Sequence, residues 1–177
     1  MKLSLEYVAG LFDGEGWCRV QTPGMNTNGE HVSGRWRDFP SYQIVAGIAM
    51  THKPLMQIIH DQFGGTLYGD DHYRRKDPKN RTIYRWHVTS VKAEDFFIAI
   101  VPHLILKKDQ VELAIKLRKH IKDNRSKVHP HAPLEFRAKI AAQRKEIADE
   151  ITRLKKVNFD LPIDSGAKPY RVLRSKS

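Results

Sequence analysis

The chain has 177 residues, of which 40% are hydrophobic and 29% are charged, a composition typical of one globular domain with a substantial core. No apolar run approaches the roughly 20 residues of a transmembrane helix, and the N-terminus lacks a secretory signal pattern. A single cysteine, Cys18, excludes a disulfide framework and a zinc site built from several cysteines. We therefore expect an intracellular protein, in the cytoplasm or in an organelle such as a chloroplast or mitochondrion.

The net charge of +11 predicts a polyanionic partner, and the positive charge is concentrated in the second half of the chain. Residues 1–100 hold 12 Lys and Arg against 11 Asp and Glu, whereas residues 101–177 hold 19 against 9. A basic half of this kind is typical of nucleic-acid binding, and an anionic membrane surface is the weaker alternative.

A short apolar helix is predicted near the start of the chain. Ser4 can cap it, and the apolar residues between Leu5 and Phe12 cover most of its circumference, so we expect the helix to be buried on nearly every side. Ala9 and Gly10 have almost no side chain, which would let another backbone come close.

Two acids, Asp13 and Glu15, follow at the carbonyl end of this helix, where each negative charge is unfavourable by about 0.3–1 kcal/mol. Gly14 and Gly16 are predicted to supply a left-handed turn that ends the helix and holds the acids on a tight corner. Carbonyl and carboxylate oxygens gathered at one point suit a hard divalent cation. Two exposed acids that simply decorate a helix cap explain the pattern equally well.

Alternating sequences predict four strands in two consecutive pairs. Residues 17–22 and 41–50 are joined by a polar connection with Arg35 and Arg37, and residues 66–68 and 82–89 by a charged loop with Arg74 and Arg75. One face of the strands carries Arg19, Gln21, Gln43, Tyr68, Arg85 and His87. Antiparallel strands with such an outer face can enter a major groove, so these residues and the four loop arginines are the candidate DNA contacts.

Further helices are predicted at residues 54–63, 93–101, 106–122 and 134–157. This order of elements is typical of an α+β fold, in which helices cover one face of an antiparallel sheet and leave the other face free. A linker with two prolines, residues 127–133, precedes the last of these helices.

The stretch from Val8 to Gly16, VAGLFDGEG, closely resembles the signature motif of the LAGLIDADG homing endonucleases. A glycine pair before the hairpin, the pattern YRWHV in its second arm, and the segment from Pro102 to Gln110 follow in the family's order. The resemblance covers residues 3 to about 122, so we divide the chain into a core, residues 1–122, and a basic C-terminal extension, residues 123–177. It implies an αββαββα core with a saddle-like DNA-binding sheet, and an endonuclease that hydrolyses phosphodiester bonds at a long site.

The resemblance also implies roles for individual residues. Glu15, with Gly14 beside it, takes the place of the acid that carries the metal, whereas Asp13 helps to fix the corner. Lys107 matches the family's basic residue near the active centre, and His52 falls where the family often has a glutamine that orders water.

The sequence contains one copy of the motif, which implies a homodimer that reads a pseudo-palindromic duplex, with no small-molecule substrate. The predicted dimer contacts lie on the motif helix at Ala9, Gly10, Phe12 and Asp13. Mg²⁺, or another divalent cation such as Mn²⁺, is the expected cofactor because hydrolysis requires stabilised charge on the attacking and leaving oxygens.

A relative that has lost cleavage, acting as an RNA-splicing maturase or a DNA-binding regulator, is the main alternative. Glu15 and Lys107 favour the enzyme, whereas Met56, which replaces a further basic residue of the family, favours the binder. A third hypothesis is a histidine-based metal site, but residues such as His129 and His131 lack the spacing to an acid that is typical of zinc.

Overall fold

The computed structural model describes residues 2–23, 39–128 and 131–157. The helices are α1 (Leu5–Glu15), α2 (Lys53–Phe63), α3 (His72–Lys76), α4 (Ser90–Ile100), α5 (Lys108–Asp123) and α6 (Leu134–Val157). The strands are β1 (Gly16–Gln21), β2 (Gln43–Met50), β3 (Thr66–Asp70) and β4 (Ile83–Thr89). The predicted α+β class and αββαββα order are confirmed, and the short α3 is an addition within the charged loop.

The four strands form one antiparallel sheet in the order β1-β2-β4-β3. Gly16 pairs with Ile48 and Gln21 with Gln43, so that β2 flanks β1 along its whole length. The inner face of the sheet carries the buried residues Cys18, Ile44, Ala46, Ile48, Trp86 and Val88. Side chains therefore alternate between two faces as predicted, although in β2 the outer-face residues Val45 and Gly47 are buried as well.

Helices α1 and α4 cover this inner face through aromatic contacts. The ring of Phe12 lies 5.6 Å from that of Phe96 and 5.9 Å from that of Phe97, measured between centroids. The indole N–H of Trp86 donates to the Gly64 carbonyl at 2.6 Å. Burial of one such side chain contributes about 1.5–3 kcal/mol, so packing stabilises α1, which is too short to be stable alone in water.

The prediction of a left-handed turn at the end of α1 is wrong. Gly14 lies inside the helix, and Gly16 has an extended backbone, with φ −87° and ψ 164°. Glycine is required at position 16 for space, because a Cβ there would overlap the Phe12 ring and lie 2.6 Å from the Phe12 carbonyl oxygen. Helix α1 therefore runs directly into β1, and the exposed Glu15 stands at the junction.

The prediction that α1 is buried on nearly every side is also wrong. Val8 and Phe12 are fully buried, but Tyr7 keeps 50% of its surface exposed, and Gly10 and Gly14 are exposed beside it. Apart from its chain neighbours and the backbone of α1 itself, a Cβ at either glycine would meet no atom of the described residues within 4 Å. We call Tyr7, Gly10 and Gly14 the open face of α1.

Helix α6, which was assigned to the C-terminal extension, packs on α5 and on the edge strand β1. Ile151 is fully buried in the same cluster as the inner face of the sheet. Arg144 makes a long hydrogen bond of 3.5 Å to the Ile121 carbonyl near the C-terminus of α5, where positive charge is favourable. Burial under these helices raises the pKa of the Cys18 thiol to about 12, against the opposing effect of the Lys155 ammonium. Helix α6 therefore shares the core of residues 1–122.

Candidate nucleic-acid interface and catalytic corner

The outer face of the sheet is built from rows of residues that strand pairing places side by side. Two such rows are Trp17–Gly47–His87–Thr66 and Ala49–Arg85–Tyr68. The predicted DNA contacts that share this face are Arg19, Gln21, Gln43, Tyr68, Arg85 and His87. The structure brings these six residues together, and their contact with DNA stays a prediction.

Several of these side chains already have protein partners. With its amide oxygen turned toward Arg19, Gln21 accepts hydrogen bonds from Nη2 at 2.7 Å and from Nε at 3.2 Å. Gln43 donates through Nε2 to the Ser90 hydroxyl at 2.9 Å. Gln21 thus orients Arg19, and Gln43 stabilises Ser90, a non-glycine residue with a φ of 53°.

The outer face of β2 carries small residues, and a side chain of β1 fills the space beside one of them. A Cβ on Gly47 would overlap the indole ring of Trp17, its partner across β1 and β2. Trp17 therefore lies over Gly47 and forms part of the outer face itself.

Asp70, at the end of β3, lies on the same outer face, although it was not among the predicted site residues. Its Oδ2 accepts a hydrogen bond from Arg85 Nε at 3.1 Å, and its Oδ1 accepts from the backbone N–H of His72 at 3.0 Å. The His72 N–H and then Arg85 lower the pKa of the Asp70 carboxyl. The alternation of Tyr68 and Asp70 in β3 was the signal that could have identified it.

The remaining arginine predictions fall outside the sheet. Arg75 is exposed on α3, and Arg74 lies on the same helix. Arg35 and Arg37 lie outside the described residues.

Asp13 is a structural acid that joins α1 to the start of α5. Its Oδ2 accepts from the backbone N–H groups of Ile105 at 2.8 Å and Leu106 at 3.1 Å, and its Oδ1 from that of Lys107 at 3.0 Å. The side chain is only 9% exposed. Three donors offset the unfavourable position of this acid at a helix C-terminus.

Lys107 and Glu15 lie close together at the same helix end. The ammonium group of Lys107 donates to the carbonyl oxygens of Phe12, at 3.1 Å, and Asp13. Partial burial lowers the pKa of Lys107, and the nearby carboxylates of Asp13 and Glu15 act in the opposite direction. Glu15, the last residue of α1, is exposed. The structure therefore forms a corner in which a fixed cation accompanies a solvent-facing carboxylate.

His52 has a structural partner at the start of α2. Its Nδ1 accepts the backbone N–H of Leu55 at 3.1 Å, which caps the helix. His52 comes directly after β2, at the end of the sheet where Ile48 pairs with Gly16. It therefore lies at the same end of the sheet as Glu15. Met56 is fully buried in the core, and its side chain therefore takes no part in a surface site.

Three of the four predicted dimer contacts do not fit the structure. Ala9 and Phe12 are fully buried within the chain, and Asp13 is bound to the start of α5. Gly10 alone lies on the open face of α1. The helix surface that a second chain can reach is therefore the open face.

Within residues 2–23, 39–128 and 131–157, no group of three or more His, Cys, Asp or Glu side chains could hold a metal ion. In the same ranges, no helix combines the length and the apolar content needed to cross a membrane. His129, one of the histidines considered for zinc, lies outside the described residues.

No protein-family model and no curated protein sequence matches the chain. Among solved structures, the homing endonuclease I-CvuI in complex with its target gives a TM-score of 0.60 at 13% identity, over 85% of this chain and 80% of I-CvuI. The archaeal intron-encoded homing endonuclease I-Vdi141I, complexed with DNA, gives 0.59 at 16% identity, over 94% of this chain and 87% of I-Vdi141I. The meganuclease I-SmaMI, bound to DNA, gives 0.52 at 18% identity, over 86% of this chain but 44% of I-SmaMI.

The chain therefore has the α+β fold of a homing endonuclease, and the fold that the motif implied is confirmed. Within that class, its structural neighbours include single-motif LAGLIDADG endonucleases such as I-CvuI and I-Vdi141I.

Proposed function

We propose that this chain is a site-specific, metal-dependent endonuclease that cuts double-stranded DNA as a homodimer. The proposal rests mainly on the arrangement of Glu15 and Lys107 at the C-terminal end of α1. There the exposed carboxylate of Glu15 lies beside the fixed ammonium of Lys107, at one end of a sheet whose outer face is polar and basic.

Double-stranded DNA is the substrate that the surface supports best. The net charge of +11 favours a polyanion, and Arg19 and Arg85 lie on the face of an antiparallel sheet that can enter a major groove. The neighbours I-CvuI and I-Vdi141I were both solved as complexes with DNA.

Mg²⁺ or Mn²⁺ fits the donor set of the corner. The Glu15 carboxylate and the Gly14 carbonyl are oxygen ligands, and Mg²⁺ binds one or two carboxylates together with water and substrate phosphates. When bound, the ion would stabilise charge on the attacking and leaving oxygens. Lys107 would offset phosphate charge, and Asp13 holds both the lysine and the end of α1 in place.

A homodimer follows from the single acid corner in each chain. Two strand cleavages need two such corners, and a two-fold axis beside the open face of α1 would bring two copies together. The backbone N–H groups of Ile105 and Leu106 donate to Asp13, so these two residues lie next to the C-terminal end of α1. They are 84% and 66% exposed and would extend the contact between the two copies. The chain spans 44% of I-SmaMI, so two copies match that meganuclease in length.

Gly10→Trp should break the dimer without unfolding the chain. Among the described residues of one copy, no side chain lies against the substituted position, but a large ring would overlap a second α1 packed on the open face. Forced overpacking costs about 1–3 kcal/mol or more at each of two equivalent positions, so we expect the dimer dissociation constant to rise by about 100-fold or more. Analytical ultracentrifugation measures this constant, and thermal melting checks the fold.

Lys119→Trp, on an exposed position of α5, is the matched control and should leave the dimer unchanged. If the wild type is monomeric both in solution and on DNA, or if the two variants assemble equally well, the homodimer through α1 is wrong.

The function itself is tested by selecting cleaved sequences from a randomised duplex library, with Mg²⁺, with Mn²⁺ and with EDTA. We expect cleavage of both strands at a pseudo-palindromic site in the presence of either metal, and intact DNA with EDTA. Sequence-specific binding without cleavage in either metal would favour the maturase or regulator alternative. Absence of binding to any duplex would refute the proposal.

A further inference from the structure

Arg85 is a basic residue of the outer face whose side chain is held by an ion pair with an acid on the neighbouring strand. Its Nε donates to Asp70 Oδ2 at 3.1 Å, and Asp70 is itself held by the His72 backbone N–H at 3.0 Å. Both side chains are partly shielded, with 32% of Arg85 and 26% of Asp70 exposed. A partly shielded pair is screened less by solvent than a fully exposed surface ion pair.

The pairing determines which part of the guanidinium remains available. Because Nε is occupied by Asp70, the edge formed by the two terminal nitrogens remains for another acceptor, and no acceptor for it is recorded among the described residues. Two parallel N–H donors match the O6 and N7 acceptors of guanine in the major groove. A carboxylate beside them also repels a phosphate, so the arrangement suits a base edge better than the DNA backbone.

The strand register gives the position of the Arg85 side chain in the sheet relative to Glu15 at the end of α1. Arg85 pairs with Ala49, one residue beyond the pair of Ile48 with Gly16, so it is level with the end of α1 where Glu15 lies. It is two strands from β1, about 10 Å at the usual strand spacing. Gln21, by contrast, lies at the opposite end of β1.

We propose that Asp70 is a positioning residue that fixes Arg85 to read one guanine in each half-site, in the part of the site near the cleaved bonds. The proposal rests on the function proposed above, because it requires the outer face of the sheet to lie in a DNA major groove. It assigns a specificity role to an acidic residue on a basic surface, where charge alone would be unfavourable for DNA binding.

The test is a base-preference profile of the wild type, Asp70→Asn and Arg85→Ala, measured by competition among all single-base variants of the selected site. We expect the wild type to prefer guanine at one inner position of each half-site by roughly 5- to 150-fold, the discrimination of one bidentate contact. Arg85→Ala should abolish the preference there, and Asp70→Asn should reduce it to about 3-fold or less at the same position only. In an Arg85→Ala background, Asp70→Asn should have no further effect on the profile.

Asp71→Asn is the matched control, because Asp71 carries the same charge one residue away but bonds to the Thr82 hydroxyl rather than to an arginine. Removal of either negative charge should strengthen non-specific binding, and only Asp70→Asn should change the base preference. If Asp70→Asn and Asp71→Asn give the same profile, or if the Asp70 and Arg85 variants affect different positions, the positioning role is refuted while the endonuclease proposal stands. If the wild type shows no sequence-specific binding, both are refuted.

Discussion

Glu15→Gln should abolish DNA cleavage while leaving DNA binding intact. Glutamine keeps the size of the side chain, but it removes the negative charge that the proposed divalent cation requires. Metal-assisted stabilisation of the reacting oxygens contributes several kcal/mol, so we expect cleavage to slow by about 10³-fold or more. Single-turnover cleavage of the selected duplex in Mg²⁺ measures the rate. Binding in EDTA should be equal or tighter, because a negative charge near the phosphates is removed.

Glu112→Gln is the matched control for this substitution, because Glu112 is an exposed glutamate on α5, away from the corner. Its cleavage rate should equal that of the wild type. If Glu15→Gln cuts as fast as Glu112→Gln, Glu15 is not the metal-binding acid and the corner at the end of α1 is not the active site.

Asp13→Ala should be strongly destabilising although Asp13 does not face the proposed metal. The substitution removes the acceptor of three backbone N–H groups, and hydrogen bonds to a charged group contribute about 1.5–3 kcal/mol each. Ile105 and Leu106 are exposed, so water replaces part of what their N–H groups lose. We therefore expect a loss of about 2–4 kcal/mol in the free energy of unfolding, less than the full sum. Urea denaturation measures it.

Asp95→Ala, at an exposed position of α4, serves as the comparison and should change stability by less than about 0.5 kcal/mol. Asp13→Ala should also slow cleavage, because the backbone of Lys107 loses its attachment to α1. A stability loss for Asp13→Ala no greater than that for Asp95→Ala would show that the bond from α1 to α5 is not formed in solution.

Local patterns in the sequence were sufficient to predict the order of elements and the faces of the strands. Alternation in residues 82–89 correctly placed Trp86 and Val88 in the core, because strand pairing gives every second residue the same face. The bounds of α6 were likewise predicted from helical periodicity.

The errors arose where tertiary contacts override local rules. Glycines in the motif were interpreted as a left-handed turn, but Gly16 is needed for its small size against Phe12. Phe12 and Asp13 were predicted, with Ala9 and Gly10, to contact a second chain, but the aromatic packing of Phe12 and the hydrogen bonds of Asp13 turn these two side chains inward. Contacts between residues far apart in sequence, such as Arg85 with Asp70 or Lys107 with the carbonyls of α1, cannot be inferred from periodicity.

If two copies joined through α1 cut DNA with a metal held at Glu15, cleavage selection from the randomised duplex library should return a pseudo-palindromic site. With EDTA as the control, we expect this site to be cut in both strands only when Mg²⁺ or Mn²⁺ is present. Equal cleavage in EDTA, or a selected site without two-fold symmetry, would show that the proposed mechanism is wrong.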